Sequence, residues 1–382
     1  MLKQYTIIKE IADFQLKLLD ENGYIESGIN GPYSCRDTEV RNTAHWIGIY
    51  KYIWIKSKDL RYLHAIKKLA DYLCLDKHYG QSGAVKCIID DKMDHLNGTI
   101  GQAWVIEGLV NAYESTKNSK YIDRAVDIFK SQKFNYKLHL WERIELDGKN
   151  LGIDYIFNHQ LWFAASGSLI LEYRNVKEIS EQVNDFVLNL EKLFEVYKDG
   201  LIKHYVSGYK PPKKSLTKII ACKFFCFMKK FDPRFDVRSF EKAYHIFDLY
   251  GFALLHKRYN KSMIFCDLKL IKAIDYAQNI DKLNQEFNIE HFLVPKTNRL
   301  IKLNKYAYPY NSPAFEFPFV DYILNNNLNV NKYDKLWEFQ VKATYHSQQK
   351  LFSYNTNDPK TLTARLYELT RYLEIKEQHE KK

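Results

Sequence analysis

Helical segments that are apolar on most sides alternate along this chain with segments that are apolar on one stripe only. The more buried kind starts near residues 38, 98, 158, 242, 312 and 359. TEVRNTAHWIGIYKYIWI predicts a helix over about 38–55, and NGTIGQAWVIEGLVNAYEST another, with the small residues Gly101, Ala103 and Gly108. NHQLWFAASGSLILEY is a third, again with small residues at Ala164, Ala165 and Gly167. EKAYHIFDLYGFALLHKRY, PAFEFPFVDYILNN and DPKTLTARLYELTRYLEI complete the set. A helix buried all round needs neighbours on every side, whereas a one-striped helix needs a core on one side only.

Each buried segment but the last is followed by a striped one. In SKDLRYLHAIKKLADYL, Leu60, Leu63, Ala65/Ile66, Leu69/Ala70 and Leu73 form one stripe at helical spacing, with Ser57 as the expected N-cap. NSKYIDRAVDIFKSQ and the stretches 176–197, 261–280 and 332–348 read the same way. Asp358 and Pro359 cap the last helix. The N-terminal helix, about 3–20, supplies the outer partner that the last buried helix lacks. Twelve helices in six hairpins with meeting ends predict an all-α fold, an (α/α)6 toroid. It is expected as one domain over 1–382, with a basic helical insertion at 199–240. Irregular spacing between the buried helices argues against the alternative, an open array of uniform helical repeats.

Composition agrees. Gly (15) and Pro (9) are scarce for 382 residues, which argues against a many-turned β sandwich and fits long helices. Hydrophobic residues, 46% of the chain, suffice for a large core. The 57 basic and 46 acidic residues give a net charge of +11, which favours an acidic partner. Basic residues are scattered and no nucleic-acid motif is present, so no nucleic acid is expected. Cys35, Cys74, Cys87, Cys222, Cys226 and Cys266 contain no CxxC pair, and no HExxH spacing occurs. Neither a metal nor a cofactor is therefore implied. The opening MLKQYTIIKEIADFQLKLLD is amphipathic and charged throughout, unlike a signal peptide, and no run approaches a membrane span. A cytoplasmic location is the expectation. Within the insertion, the basic and aromatic stretch KIIACKFFCFMKK suggests a lid or a peripheral membrane contact through 217–230.

In such a ring the lead-in to every buried helix falls at one end, where helix N-termini also point. These lead-ins carry Asp37, Arg41, His45 and Trp46; Asp90, Asp91, Asp94, His95 and Asn97; Asp154 and His159; His204, Tyr205, Tyr244, His245 and Asp248; Tyr306, Tyr308, Tyr310 and Glu316; and Tyr354 and Asp358. The densest is IIDDKMDHLNG, residues 88–98. There, neighbouring carboxylates would push one another's pKa values apart and yield one donor and one acceptor near neutral pH. His159, opening a buried helix beside Trp162, suits a general base or a hydroxyl ligand. Glu316 lies in apolar surroundings (AFEFPF), which suits a general acid. Arg365 reads as a structural ion-pair partner inside the ring.

HLNGTIGQAWVIEGLVNAYE, NHQLWFAAS and YNTNDPKTLTARLYELTRYL resemble the (α/α)6 barrel proteins of surface-polysaccharide and protein-glycosylation functions. More distantly the chain resembles the unsaturated glucuronyl hydrolases and the N-acylglucosamine 2-epimerases. In the former an Asp just before an inner helix is the general acid/base. Ile88-Ile89-Asp90 followed by Met93 is similar to that surrounding, which implies the role for Asp90 or Asp91. The first expectation is thus an enzyme cleaving a glycosidic bond in an acidic glycan, with Asp94 or Glu316 as second carboxylate. Trp46, Trp104, Trp162 and tyrosines such as Tyr308 would contact sugar rings. Arg41, His45, His95, Asn97, Tyr205 and His245 would add polar contacts. The second expectation is a uronate lyase or sugar epimerase with His159, His95 or Tyr205 as base. The third is a non-catalytic glycan-binding or scaffold protein.

Overall fold

The structure is a computed structural model that describes residues 3–30, 35–91, 93–209, 238–279, 291–293, 300–302, 311–326 and 329–379. Helices α1 (Lys3–Asn22), α2 (Val40–Ser57), α3 (Leu60–Leu73), α4 (Gly98–Thr116) and α5 (Ser119–Lys130) open the chain. They are followed by α6 (Phe157–Leu171), α7 (Lys177–Leu193), α8 (Ser239–Tyr259) and α9 (Leu268–Ala277). The last four are α10 (Pro313–Asn325), α11 (Val330–Thr344), α12 (Pro359–Ala364) and α13 (Leu366–His379).

Two kinds of burial sort these helices. α2 is buried without a break from Val40 to Ile53, and α4 and α6 are buried along nearly their whole length. α3, α5 and α7 bury single stripes, such as Tyr121, Ile122, Ala125, Ile128 and Phe129. The buried helices form the inner wall. α2 packs on α4, α4 on α6, α6 on α8, α8 on α10, α10 on α13, and α13 returns to α2. Six inner helices thus close a ring among the described residues, and α1, α3, α5, α7, α9 and α11 lie outside it. The outer position of α1 is held by Gln4, which donates to Asp334 on α11 at 3.1 Å, and by the Lys350–Glu10 ion pair at 2.7 Å. This is the (α/α)6 toroid expected from the alternation. Close approach is made possible where side chains vanish: a Cβ on Gly108 would collide with Ala44 of α2.

Local signals decide the boundaries. Asp267 caps α9 through the amides of Lys269 and Leu270, and Asp358 caps α12 through that of Thr361. Three local expectations need correction. Asp59, not Ser57, caps α3; Ser57 ends α2 and turns its hydroxyl back to the Ile53 carbonyl. The stretch 261–280 is a short 3-10 turn, Met263–Cys266, before α9. The final helix is broken at Arg365, whose buried side chain is needed inside the ring.

Residues 133–153 carry no element expected from the sequence. They form a three-stranded antiparallel sheet, β3 (Lys133–Asn135), β4 (Leu140–Ile144) and β5 (Asn150–Ile153), which extends the lead-in to α6. Short antiparallel pairs also flank other helices: β1 (Ile29–Asn30) with β2 (Cys35–Arg36), β6 (His291–Leu293) with β7 (Leu300–Lys302), and β8 (Tyr345–His346) with β9 (Leu351–Phe352). Of the 199–240 insertion, only its two ends are described; 210–237, with the 217–230 stretch, Cys222 and Cys226, lies outside the described residues. No helix among the described residues is long and apolar enough to cross a membrane.

Candidate active site

The lead-ins meet at one end of the ring, as bridges Asp37–Ile88 and Ile156–Tyr205 tie neighbouring ones together. Between the N-termini of α4 and α6 sits a compact polar group. Asp154, buried after β5, accepts from the Thr99 amide at 2.9 Å and lies 2.8 Å from His159 Nδ1. Burial pushes the Asp154 carboxyl upward. The His159 and Arg143 charges and the Thr99 amide outweigh it, and hold the acid well below the usual carboxylate range. An ionised Asp154 can only accept, so Nδ1 carries the hydrogen and Nε2 is left to exchange a proton. His159 itself is 16% exposed, within reach of the mouth. Gly98, at φ +60°, packs directly on this pair; no Cβ fits there.

Around the dyad, Asp94 accepts from the Gly98 amide at 2.7 Å and pairs with Arg143 of β4 at 2.9 Å. His95 lies 3.2 Å from Asp91 and 3.7 Å from Glu145, which also accepts from the His95 amide. Asp90 is tied to Arg36 by its backbone amide at 2.6 Å and by its guanidinium at 3.1 Å. The Asp91 side chain is 95% exposed, so it stands outside the mouth rather than within it. Asn97 takes a left-handed conformation just before α4.

Further in, the inner helices carry a belt of buried polar groups. Arg41 pairs with Asp37, donates to Thr361 Oγ1 at 2.9 Å and lies over the Trp104 ring at 5.3 Å. Burial, helped by the nearby Asp358 charge and opposed by Arg41, lifts Asp37 to about 7. His45 stacks on Tyr367 at 4.3 Å and meets Trp104 edge-on at 5.6 Å. Burial and the Arg365 and Arg41 charges keep its imidazole neutral. Arg365 joins Glu316 at 2.9 Å and Glu368 at 2.5 Å, all three at most 1% exposed, with Phe247 beneath the guanidinium. Burial raises Glu316 to about 7 against the pull of Arg365. Asp248 is pushed well above its ordinary value by burial, with Asn158 opposing. Arg371 pairs with Glu107.

The structure therefore brings together Arg41, His45, Trp104 and Glu316 in the belt, and Asp94, His95, Asn97 and His159 at the mouth. It turns others elsewhere. Trp46 faces outward, where it lines a 280 Å3 cavity with Phe14 and Leu18 of α1. His245 accepts from the Ile202 amide and donates to the Ala273 carbonyl, which occupies both ring nitrogens with backbone. Trp162 spends its N–H on the Phe247 carbonyl at 3.1 Å and stacks on Tyr250. Tyr205 stays at the rim beside His204 and Tyr209. Tyr308 lies outside the described residues. Sequence reasoning passed over Arg143, Glu145, Tyr367 and Glu368. A signal existed for the first two: LWERIELDGKNLGI alternates and contains Asp147-Gly148, a hairpin turn pair.

The ring and its polar mouth define the class: an (α/α)6 toroid whose inner helices carry polar side chains to one end. No family model matches the chain. Archaeal glycosylation protein Q of Haloferax volcanii is 29% identical over 380 residues, covering 96% of each chain. Among solved structures the chain is similar to a D-mannose isomerase (TM-score 0.62, 15% identity, 98% and 97% of the two chains). It is also similar to the unsaturated glucuronyl hydrolase of Bacillus sp. GL1 (0.62, 12%, 98% and 97%) and to the cellobiose 2-epimerase of Bacillus thermoamylovorans (0.60, 12%, 97% and 100%). At such identities these structures establish the shared toroid.

Proposed function

We propose that this chain is a sugar-processing enzyme of a glycosylation pathway, and that it works by moving a proton at the ring mouth. The observation that carries the reading is the His159–Asp154 dyad: a buried carboxylate 2.8 Å from Nδ1, which fixes the tautomer and leaves Nε2 as the basic nitrogen of a side chain that is 16% exposed. A base held in this way suits removal of a proton beside a carbonyl or carboxylate, as in epimerisation, isomerisation or elimination. Nε2 takes the proton from the sugar carbon, the electron pair moves onto the adjacent oxygen, and a protonated group returns a proton. In support, one relative at 29% identity is named as a glycosylation protein, and enzymes named for acting on sugars share the toroid. The net charge of +11 suits a substrate carried on an acidic glycan.

A second reading is cleavage of a glycosidic bond by carboxylates, with Asp90, Asp91 or Asp94 beside Glu316. Its specific support is Glu316, lifted to about 7 by burial and so able to hold a proton at neutral pH. One experiment separates the two. Candidate sugars are incubated with the enzyme in heavy water and followed by NMR. The first reading expects deuterium at a ring carbon, and a His159→Gln enzyme slowed by about 10²–10⁴-fold. Release of a reducing end without carbon-bound deuterium, lost in Glu316→Gln and kept in His159→Gln, would transfer the function to the carboxylates.

A further inference from the structure

Three large apolar side chains on the outer layer stand clear of the core. Leu188 on α7, Met263 at the start of the 3-10 turn and Leu268 at the start of α9 are 78%, 79% and 72% exposed, further than any other large apolar side chain among the described residues. They belong to one face. The Met263–Cys266 turn packs against α7. On α7, Leu188 shares a side with Asn184, four residues before it, and Glu191, three after it. Asn184 accepts from the hydroxyl of Tyr259, at the end of α8, at 2.8 Å. The Glu191 carbonyl accepts from Lys269 on α9, which also donates to the Phe194 carbonyl at 3.3 Å. Leu188 therefore sits between the two points at which the 259–269 connection is fastened to α7.

Each outward position has a local cause. Ile264 takes the buried place of the turn, which leaves Met263 outside. α9 buries Leu270, Ala273, Ile274 and Ala277, so Leu268, Ile271, Lys272 and Asp275 share the opposite side. Around the apolar tips the chain is basic. Across residues 257–275 five basic side chains stand against two acidic ones, and one of these, Asp267, is held by the amides it caps. On α7, Glu191 and Lys192 balance each other beside Leu188. Lys257 pairs with Glu172, but Lys261 and Lys272 are exposed and make no ion pair among the described residues.

Exposed apolar side chains grouped in this way mark a contact surface, and the lysines select the partner. A protein interface draws on aromatic side chains and arginine at its centre and is depleted in lysine. Nucleic acid would engage the lysines but leaves aliphatic tips nothing to bury against on its phosphate backbone. An acidic bilayer uses both. Aliphatic tips enter the boundary between headgroups and acyl chains, while lysines on long stems meet the phosphates. We propose that this outer face, with Leu188, Met263 and Leu268 at its centre and Lys261 and Lys272 at its edge, docks the protein on an anionic lipid surface. The His159–Asp154 pair, held at the lead-ins to α4 and α6, takes no part in it.

The test is co-sedimentation of the full chain with vesicles of phosphatidylcholine and phosphatidylglycerol in equal parts, against vesicles of phosphatidylcholine alone. Binding is expected on the anionic vesicles, much less on the neutral ones, and is expected to fall as salt is raised. Lys261→Gln with Lys272→Gln should weaken it by roughly ten- to thirtyfold, at about fivefold per lysine. Met263→Ser with Leu268→Ser should weaken it by at least about tenfold. Leu60→Ser, which replaces an exposed leucine on α3, is the control and should bind as the parent does. All five side chains are exposed, so melting temperatures should hold and a loss of binding will not report unfolding. Every variant keeps the basic stretch 217–230, so binding that survives both double substitutions would overturn the proposal and pass the contact to that stretch. Equal binding to neutral vesicles would overturn it too. So would an absence of vesicle binding, with light scattering showing a dimer that Met263→Ser with Leu268→Ser breaks, since the face would then belong to a second copy of the chain.

Discussion

Replacing Gly98 with alanine adds one methyl group at the point where α4 rests on the His159–Asp154 pair. The backbone there has φ +60°, so any L side chain meets its own carbonyl, at about 1 kcal/mol. The new Cβ would also fall far inside contact distance of His159 Nδ1 and Asp154 Oδ2, and 2.7 Å from His159 Cε1. The pair must separate, which forfeits a charge-assisted bond of roughly 1.5–3 kcal/mol. Together the loss is roughly 2.5–4 kcal/mol. An unfolding entropy near 2.1 cal/mol/K per residue gives about 0.8 kcal/mol/K for this chain, so the midpoint should fall by about 3–5 °C. Gly148→Ala is the control: φ is +86° there but nothing lies within 4 Å, so only the backbone term applies, or about 1 °C. Thermal melts followed by far-ultraviolet circular dichroism, with turnover measured on both variants, read the difference. Equal midpoints for the two variants, with turnover intact in Gly98→Ala, would refute the packing of Gly98 on a working dyad.

Further expectations concern the buried carboxyls. Glu316 holds its proton up to about 7 in the fold but only to its ordinary value when unfolded, so the native state binds more protons in between. Stability contributed by this group therefore falls as pH rises from the mid-fours through 7, and chemical denaturation of Glu316→Gln across that range should show a flatter profile. Arg365→Met strands Glu316 and Glu368 without their cation and should cost roughly 3–5 kcal/mol in urea unfolding. The triple variant Glu316→Gln, Arg365→Met, Glu368→Gln should recover most of that loss; no recovery would mean that packing, not charge, holds the site.

The toroid was legible because its cause is written locally. A helix surrounded by others must be apolar all round, and α2, α4 and α6 show this in their residues. An outer helix shows its one stripe just as directly. The cap at Asp358-Pro359 is equally local, since it needs one side chain and one ring within a turn. The sheet β3–β5 escaped because its strands are short and its alternation mixes Trp141 and Ile144 with Glu142 and Arg143, which resembles a solvated loop when no partner strand is assumed.

The site was only half legible, and the reason is geometrical. A window along the chain finds density, and so it finds IIDDKMDHLNG; but neighbours in sequence before a helix splay apart, and Asp91 ends in solvent while Asp94 turns to Arg143. Convergence in a ring works the other way: each inner helix contributes one or two side chains. Asp154 meets Thr99 across 55 residues, Glu316 meets Arg365 across 49, and Arg371 meets Glu107 across 264. No local pattern distinguishes such residues from a solvated Asp or a structural Arg. Only the order of the helices around the ring does. It follows that the buried belt depends on ring closure more than any single helix does. Weakening the α13–α2 contact that completes the ring should disturb His45 and Tyr367, which stack across that seam, before it disturbs the His159–Asp154 dyad between α4 and α6. The NMR signals of the His45 ring should then broaden at denaturant concentrations that still leave those of His159 intact.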